Sequence, residues 1–289
     1  MKQYEKLEKR YLLGIIGYPL SFTLSPLMHE AALKTLKLPW RYLRLPVSPV
    51  DLPLALDGIR ALPFIGVNVT VPYKEKVVQY LDKLEGDAKI LSTVNVITVR
   101  NKKLIGYNSD SLGIYQTIKH LLPVTVKQKI QKQAVLLIGA GGAARACVLA
   151  LKRLGVRNLF VANRTTKKGE AFIDFCKGAL DFFDAQFIPL EKINKAFAVK
   201  QKITRIISAV PAEAINRYLL HQLVSFENIQ LICELAYTRK PTPLEKFCRK
   251  SQFTTFVSGR EVLLYQGAVA FEQWTGKKSP IIIMRNTLQ

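Results

Sequence analysis

Ala134-Val135-Leu136-Leu137-Ile138-Gly139-Ala140-Gly141-Gly142-Ala143-Ala144-Arg145 is the stretch on which the fold turns. Its first five residues are wholly apolar and read as a buried strand. The small residues that follow let the chain turn sharply, and ARACVLALKRLG then reads as a helix closed by Gly155, a natural C-terminal cap. In that setting the lack of side chains has a chemical use. Backbone N–H groups can approach a pyrophosphate, and the helix N-terminus adds partial positive charge. A glycine cluster by itself is also a plain tight turn; strand before and helix after favour a dinucleotide held by Gly139, Ala140, Gly141, Gly142 and Ala143.

The next strand, NLFVAN, bears on which dinucleotide. NAD enzymes usually end this strand in Asp or Glu to hold the ribose 2′-hydroxyl, whereas here it runs into Asn163-Arg164-Thr165-Thr166-Lys167-Lys168. A guanidinium, hydroxyls and ammonium groups suit a 2′-phosphate, so the expected cofactor is NADP(H), contacted by Asn163, Arg164, Thr165 and Lys168. The competing reading is an ordinary solvated basic turn.

Working outward, strands recur at TRIISAV, LICELAY and FTTFVSG between helical stretches, so residues 112–259 read as a doubly wound, Rossmann-type domain. Upstream, YLLGIIG, WRYLRLPV and FIGVNVTVP read as strands, and SPLMHEAALKTLK, LPLALDGIRALP and KEKVVQYLD as helices. VNVITVR and KLIGYNSD flank Asn101 and Lys102 as a short hairpin. Residues 1–111 therefore read as an α/β substrate domain. A basic connector, VKQKIQKQ, precedes the glycine loop, and the last helix, REVLLYQGAVAFEQWTG, is apolar on a broad face, so 260–289 is expected to return to the first domain.

Composition narrows the class. The chain has 289 residues, and 43 Lys and Arg against 21 Asp and Glu give a net charge of +22. The basic residues are spread along the chain with no arginine-rich tail, which favours anionic small molecules over nucleic acid as partners. No apolar run approaches the roughly 20 residues needed to span a bilayer. The basic, then apolar N-terminus lacks a small-residue cleavage site and is not read as a secretory signal. Cys147, Cys176, Cys233 and Cys248 show no metal-ligand spacing, so no metal and a reducing, cytoplasmic setting are expected.

Three features of the first domain converge on chemistry. Gly17 to Pro26 is a hydroxyl-rich loop leading into a helix, with Ser25 suited to cap it and Pro26 to its first position. Asn68-Val69-Thr70-Val71-Pro72-Tyr73-Lys74-Glu75 puts Asn68 and Thr70 on one strand face and Lys74 at a helix start, where the dipole disfavours a cation. Such broken local rules point to function. Asn108-Ser109-Asp110 ends a strand just before the next helix, where Asp110 could simply be an N-cap. Lysine and aspartate together supply what carbonyl reduction needs: a donor for an oxygen gaining charge and an anion to orient it.

These residues resemble the shikimate dehydrogenase family in order over nearly the whole chain. The family's SxSP loop matches Thr23-Leu24-Ser25-Pro26, its NVTVPxKE motif Asn68 to Glu75, and its VNT segment Val94-Asn95-Val96. Its G-x-N-[ST]-D element matches Gly106 to Asp110, its GxGGxxR loop Gly139 to Arg145, and its NRT motif Asn163 to Thr165. Tyr237, Thr242-Pro243-Leu244 and Gln266 to Gly276 match further family elements. The resemblance implies a two-domain enzyme, monomeric or dimeric, with shikimate in a cleft and Lys74 and Asp110 as its catalytic pair. It implies that Thr23, Ser25 and Tyr237 hold the substrate carboxylate, that Asn68, Thr70, Asn95 and Gln266 contact ring hydroxyls or the lysine, and that Val210 and Gly259 line the nicotinamide.

The sequence also departs from the family. Thr23, Tyr73 and Ser109 stand where serine, histidine and threonine are commoner. Ser208 to Ala212 replaces the usual NATxxG, and Val262 replaces a frequent methionine. Two alternatives stay open: the quinate/shikimate branch of the family, and a catalytically silent NADP-binding or basic nucleic-acid-binding protein on this fold.

Overall fold

A computed structural model describes residues 10–121, 133–182, 184–226, 228–250 and 255–289. The chain divides into two compact units, Met1–Ser109 with Leu263–Gln289, and Asp110–Val262. The connector VKQKIQKQ lies, apart from Gln133, outside the described residues, as do the first two residues of FTTFVSG.

In the first unit six strands form a mixed sheet: β1 (Leu12–Gly17), β2 (Arg41–Pro46), β3 (Phe64–Val69), β4 (Lys83–Leu84), β5 (Val96–Arg100) and β6 (Lys103–Tyr107), in the order β2-β1-β3-β5-β6-β4. β1 is parallel to both β2 and β3. β5 and β6 are the expected hairpin, and Asn101 and Lys102 at its tip take φ of 50° and 59°, as a tight two-residue turn requires. β2 is an edge strand that exposes Arg41 and Arg44 while turning Tyr42 inward; charge on the rim discourages pairing with another chain. One core joins Ile16, Val67, Val69 and Ile97 to Leu56 and Ile59 of the helix Leu52–Ala61.

Four boundaries differ from the sequence reading. FIGVNVTVP is strand only to Val69, because Pro72 can donate no ladder hydrogen bond and the chain turns before it. KEKVVQYLD is a short helix, Tyr73–Lys76, followed by a 3-10 turn, Val77–Tyr80. Ser25 is not the cap of its helix: the helix Ser25–Thr35 begins at Ser25 itself, with Leu24 before it and no side-chain cap. Asp110 likewise opens the helix Asp110–Leu121 from within its first turn.

The second unit carries a wholly parallel sheet: β7 (Ala134–Ile138), β8 (Leu159–Asn163), β9 (Ala185–Pro189), β10 (Ile203–Ser208), β11 (Leu231–Glu234) and β12 (Thr255–Val257). Its order, β12-β11-β10-β7-β8-β9, is the doubly wound arrangement, with the reversal between β7 and β10. β7 is buried at every position, as a central parallel strand must be. β9 was not foreseen: AQFIP carries only three apolar side chains besides its proline, and its place at the sheet edge leaves Gln186 exposed. Among the described residues no helix is long and apolar enough to cross a membrane, and no group of His, Cys, Asp or Glu could hold a metal ion.

Candidate active site

In the first unit the loops after β1 and β3 leave neighbouring parallel strands at the same end, the usual position for ligand sites in such sheets. They are laced together. Thr70 N–H donates to Ile16 O at 2.9 Å and Tyr18 N–H to Val71 O at 3.1 Å. A Cβ on Gly17 would lie 2.5 Å from Thr70 Cγ2, so the close approach of Thr70 requires glycine there. In the SxSP-like loop the Ser25 N–H donates to Thr23 Oγ1 at 3.3 Å, and Ser25 is buried.

Asn68, Asn95 and Gln266, 171 residues apart at the extremes of the second pair, are joined by one run of hydrogen bonds. Asn68 Nδ2 donates to Asn95 O at 3.1 Å; Asn95 Nδ2 donates to Gln266 Oε1 at 2.9 Å and to Ser109 Oγ at 3.0 Å. Ser109 N–H returns to Asn95 Oδ1 at 2.7 Å. The hydroxyl of Ser109, in place of the commoner threonine, thus joins the cluster. Lys74 is tied to the same place through its backbone, because Val94 N–H donates to Lys74 O at 2.8 Å. The helix Gly259–Thr275, which carries Gln266, comes close to the helix Ser25–Thr35 at Gly267, where a Cβ would lie 2.2 Å from Met28 Cε.

Two residues of this region were missed by sequence reasoning. Tyr42 O–H donates to Asn68 Oδ1 at 2.6 Å, and its ring stacks on His29 with centroids 4.4 Å apart. His29 is completely buried, and burial lowers its pKa to about 3, so the ring is neutral. The signal in the sequence was a lone tyrosine pointing inward from an edge strand, which pattern alone cannot distinguish from core packing. Tyr73, the substitute for histidine beside Lys74, turns into the core: it is fully buried, donates to Val47 O at 2.5 Å, and burial pushes its phenol up.

In the second unit Gly139 has a φ of 112°, strained for any other residue, and a Cβ there would lie 2.9 Å from Val210 Cγ1. Val210, at the altered NATxxG position, therefore packs on the glycine loop across the reversal of strand order. Gly141 precedes the helix Gly142–Arg153 without a side-chain cap, and nothing lies within 4 Å of where its Cβ would be. Arg145 of the same loop lies over the Phe175 ring at 4.7 Å. β8 ends at Asn163, whose Nδ2 donates to Thr165 O at 2.9 Å; Arg164 to Lys168 are all exposed. Gly259 packs on the backbone after β11, a Cβ being 2.4 Å from Leu235 O. Tyr237 and Asp110 belong to this unit, whereas Lys74, Thr23, Ser25 and the amide cluster belong to the first.

Past β11 the sequence reading overlooked Glu234. It is fully buried and accepts a hydrogen bond from Thr242 Oγ1; its Oε1 has no hydrogen-bond partner among the described residues, and burial raises its pKa. Thr242 in turn accepts from Glu245 N–H at 3.1 Å and caps the helix Pro243–Cys248. The pair fixes both ends of the loop that bears Tyr237.

Known proteins resemble this chain along most of its length. Residues 15–97 match the shikimate dehydrogenase substrate binding domain, residues 122–222 the shikimate / quinate 5-dehydrogenase model, and residues 259–289 the shikimate 5'-dehydrogenase C-terminal domain. A shikimate dehydrogenase (NADP(+)) of Carboxydothermus hydrogenoformans is 37% identical over 96% of each chain. A crystal structure of a shikimate dehydrogenase in complex with NADP+ superposes with a TM-score of 0.83 at 30% identity, covering 97% of this chain and 95% of that one. The Thermus thermophilus enzyme in complex with NADP(H) and shikimate gives 0.77 at 26% identity, covering 96% and 98%. With relatives this similar along almost its entire length, the chain belongs to the shikimate dehydrogenase family.

Proposed function

We propose that the chain is an NADP-dependent shikimate dehydrogenase, reversibly reducing 3-dehydroshikimate to shikimate on the route to chorismate and the aromatic amino acids. The observation that carries this reading is the amide cluster of the first unit. Side-chain amides already oriented by protein partners, those of Asn68 and Asn95 buried, form a surface suited to a polyhydroxylated ring, and they adjoin the turn of Lys74.

The residues also fit the cofactor. An open backbone at Gly141, a helix start with no side-chain cap, and the exposed Arg164, Thr165 and Lys168 after a strand lacking a terminal carboxylate suit a pyrophosphate and a 2′-phosphate. Val210 and Gly259 would border the nicotinamide. When bound, NADPH supplies the hydride. Lys74 delivers a proton to the ketone oxygen as it gains negative charge, and takes it back in the oxidation of shikimate; Asp110 supplies the anion that orients that ammonium. Thr23, Ser25 and Tyr237 bind the substrate carboxylate, while Asn68, Thr70, Asn95 and Gln266 hold the ring hydroxyls. The cytoplasm is the setting we assign, supported by four buried cysteines with no disulfide between them.

The test is spectrophotometric. Purified protein is given shikimate or quinate with NADP+ or NAD+, and reduced nicotinamide is followed by absorbance. Turnover with shikimate and NADP+ is the expected result. Comparable efficiency on quinate would move the protein to the quinate/shikimate branch, and salt-sensitive DNA binding without shikimate oxidation would overturn the enzymatic reading.

A further inference from the structure

We propose that Tyr42 is a positioning residue for substrate recognition, fixing the side-chain amide of Asn68 so that one N–H is presented to an acceptor oxygen of the substrate ring. The inference rests on the reading of Asn68 as a substrate contact and assigns that contact a polarity.

Strand register brings the pair together. Tyr42 on β2 is aligned with Leu13 of β1, and Ile15 of β1 with Asn68 of β3, so Tyr42 and Asn68 share one face with β1 between them. The tyrosine ring spans the middle strand and its O–H meets Asn68 Oδ1 at 2.6 Å. The ring has little freedom to leave. His29 stacks on it at an interplanar angle of 10°, Trp274 lies 6.3 Å away, and Tyr42 is only 3% exposed.

An asparagine amide has two donors on nitrogen and an acceptor oxygen, and its orientation is set by its partners. Here Nδ2 faces Asn95 O, which can only accept, and Oδ1 faces Tyr42 O–H. Turning the amide over would set two acceptors against each other at Asn95. Tyr42 O–H and Asn95 O together fix which way the amide points, and in that orientation the second N–H is a donor the substrate can meet. Without the tyrosine hydroxyl, a nearly buried Oδ1 loses its donor, and the amide gains a reason to rotate toward another. The substrate atom that meets this N–H is an acceptor, such as a hydroxyl lone pair.

The experiment is a double-mutant cycle on the full-length enzyme with shikimate and NADP+, with thermal melts confirming that each variant is folded. Tyr42→Phe is expected to raise the KM for shikimate roughly tenfold while kcat and the KM for NADP+ stay within about twofold, as for loss of an interaction made equally in ground and transition states. In an Asn68→Ala background the same change should alter KM by no more than about twofold, because there is no amide left to orient. An unchanged KM in Tyr42→Phe, when Asn68→Ala alone raises it, overturns the inference and leaves the proposed function standing. An equal rise in both backgrounds also overturns it, since the effect would then bypass Asn68. If Asn68→Ala itself leaves KM unchanged, Asn68 is not a substrate contact, and that assignment falls with the inference.

Discussion

On the proposed function, the two units meet recognition in opposite ways. In the first, the polar side chains are largely engaged with one another: Asn68 with Tyr42 and Asn95, Asn95 with Ser109 and Gln266. In the second, the glycine loop presents almost no side chains, and its donors are backbone N–H groups at a helix start. A ring bearing several hydroxyls demands groups of defined polarity at defined places, which pre-bonded amides provide. A pyrophosphate demands charge and close approach, which bare backbone provides. Substitutions should therefore act on substrate parameters in the first unit and on cofactor affinity in the second.

The most severe break is expected at Lys74. Lys74→Ala should lower turnover by roughly 10²- to 10⁴-fold, the usual worth of a general acid, while leaving NADP+ affinity nearly intact. Steady-state kinetics and a fluorescence titration with NADP+ check both halves, and near-normal turnover would refute the assignment. The converse experiment is Gly139→Ala. With φ at 112° and Val210 at 2.9 Å from the added Cβ, it should cost about 1–3 kcal/mol of stability and weaken NADP+ binding. Urea unfolding and the same titration would show it; an unperturbed variant would mean that the loop tolerates a side chain.

These contrasts also explain what was legible in the sequence. Gly139, Gly141 and Gly142 stood out because glycine announces a backbone requirement directly, and β7 did so because a central parallel strand is apolar throughout. Lys74 stood out because it defied the helix dipole. Tyr42 and Glu234 did not, because their importance lies in a partner supplied by another element: Asn68 two strands away, or Thr242 at the far end of a loop. Ser25 misled for a related reason. Serine before proline satisfies a capping pattern, yet the helix takes it into its first turn. The role of Tyr237 came from resemblance alone, since it has no local pattern of its own, whereas Asp110 was marked by its place between a strand end and a helix.

The cofactor side can be sharpened at Arg164. It is exposed after a strand ending in Asn163, so Arg164→Ala should remove a charge-assisted contact to the 2′-phosphate and weaken NADP+ roughly tenfold while sparing NAD+. The ratio of kcat/KM for the two cofactors is the measurement. An unchanged ratio would leave Lys167, Lys168 or Thr165 to make the choice.

The smallest effect separates the units by acid. His29 beneath Tyr42 has a folded pKa of about 3 against 6.5 when exposed, so between those values the unfolded chain holds the extra proton and stability falls with falling pH. From pH 6.5 to pH 5 this group should remove roughly 1.5 kcal/mol, and His29→Phe, which keeps an aromatic ring against Tyr42, should abolish that share. Glu234 of the second unit runs the other way. Its carboxyl is raised by burial, so the folded chain holds the extra proton above the ordinary carboxylate range, and acidification through that window relieves the cost of a buried charge. Mild acid should thus loosen the first unit in preference to the second. Hydrogen exchange at two pH values, corrected for intrinsic rates, would locate the change; protection lost equally in both units, or lost just as much in His29→Phe, would show that burial of these two groups does not set the acid response.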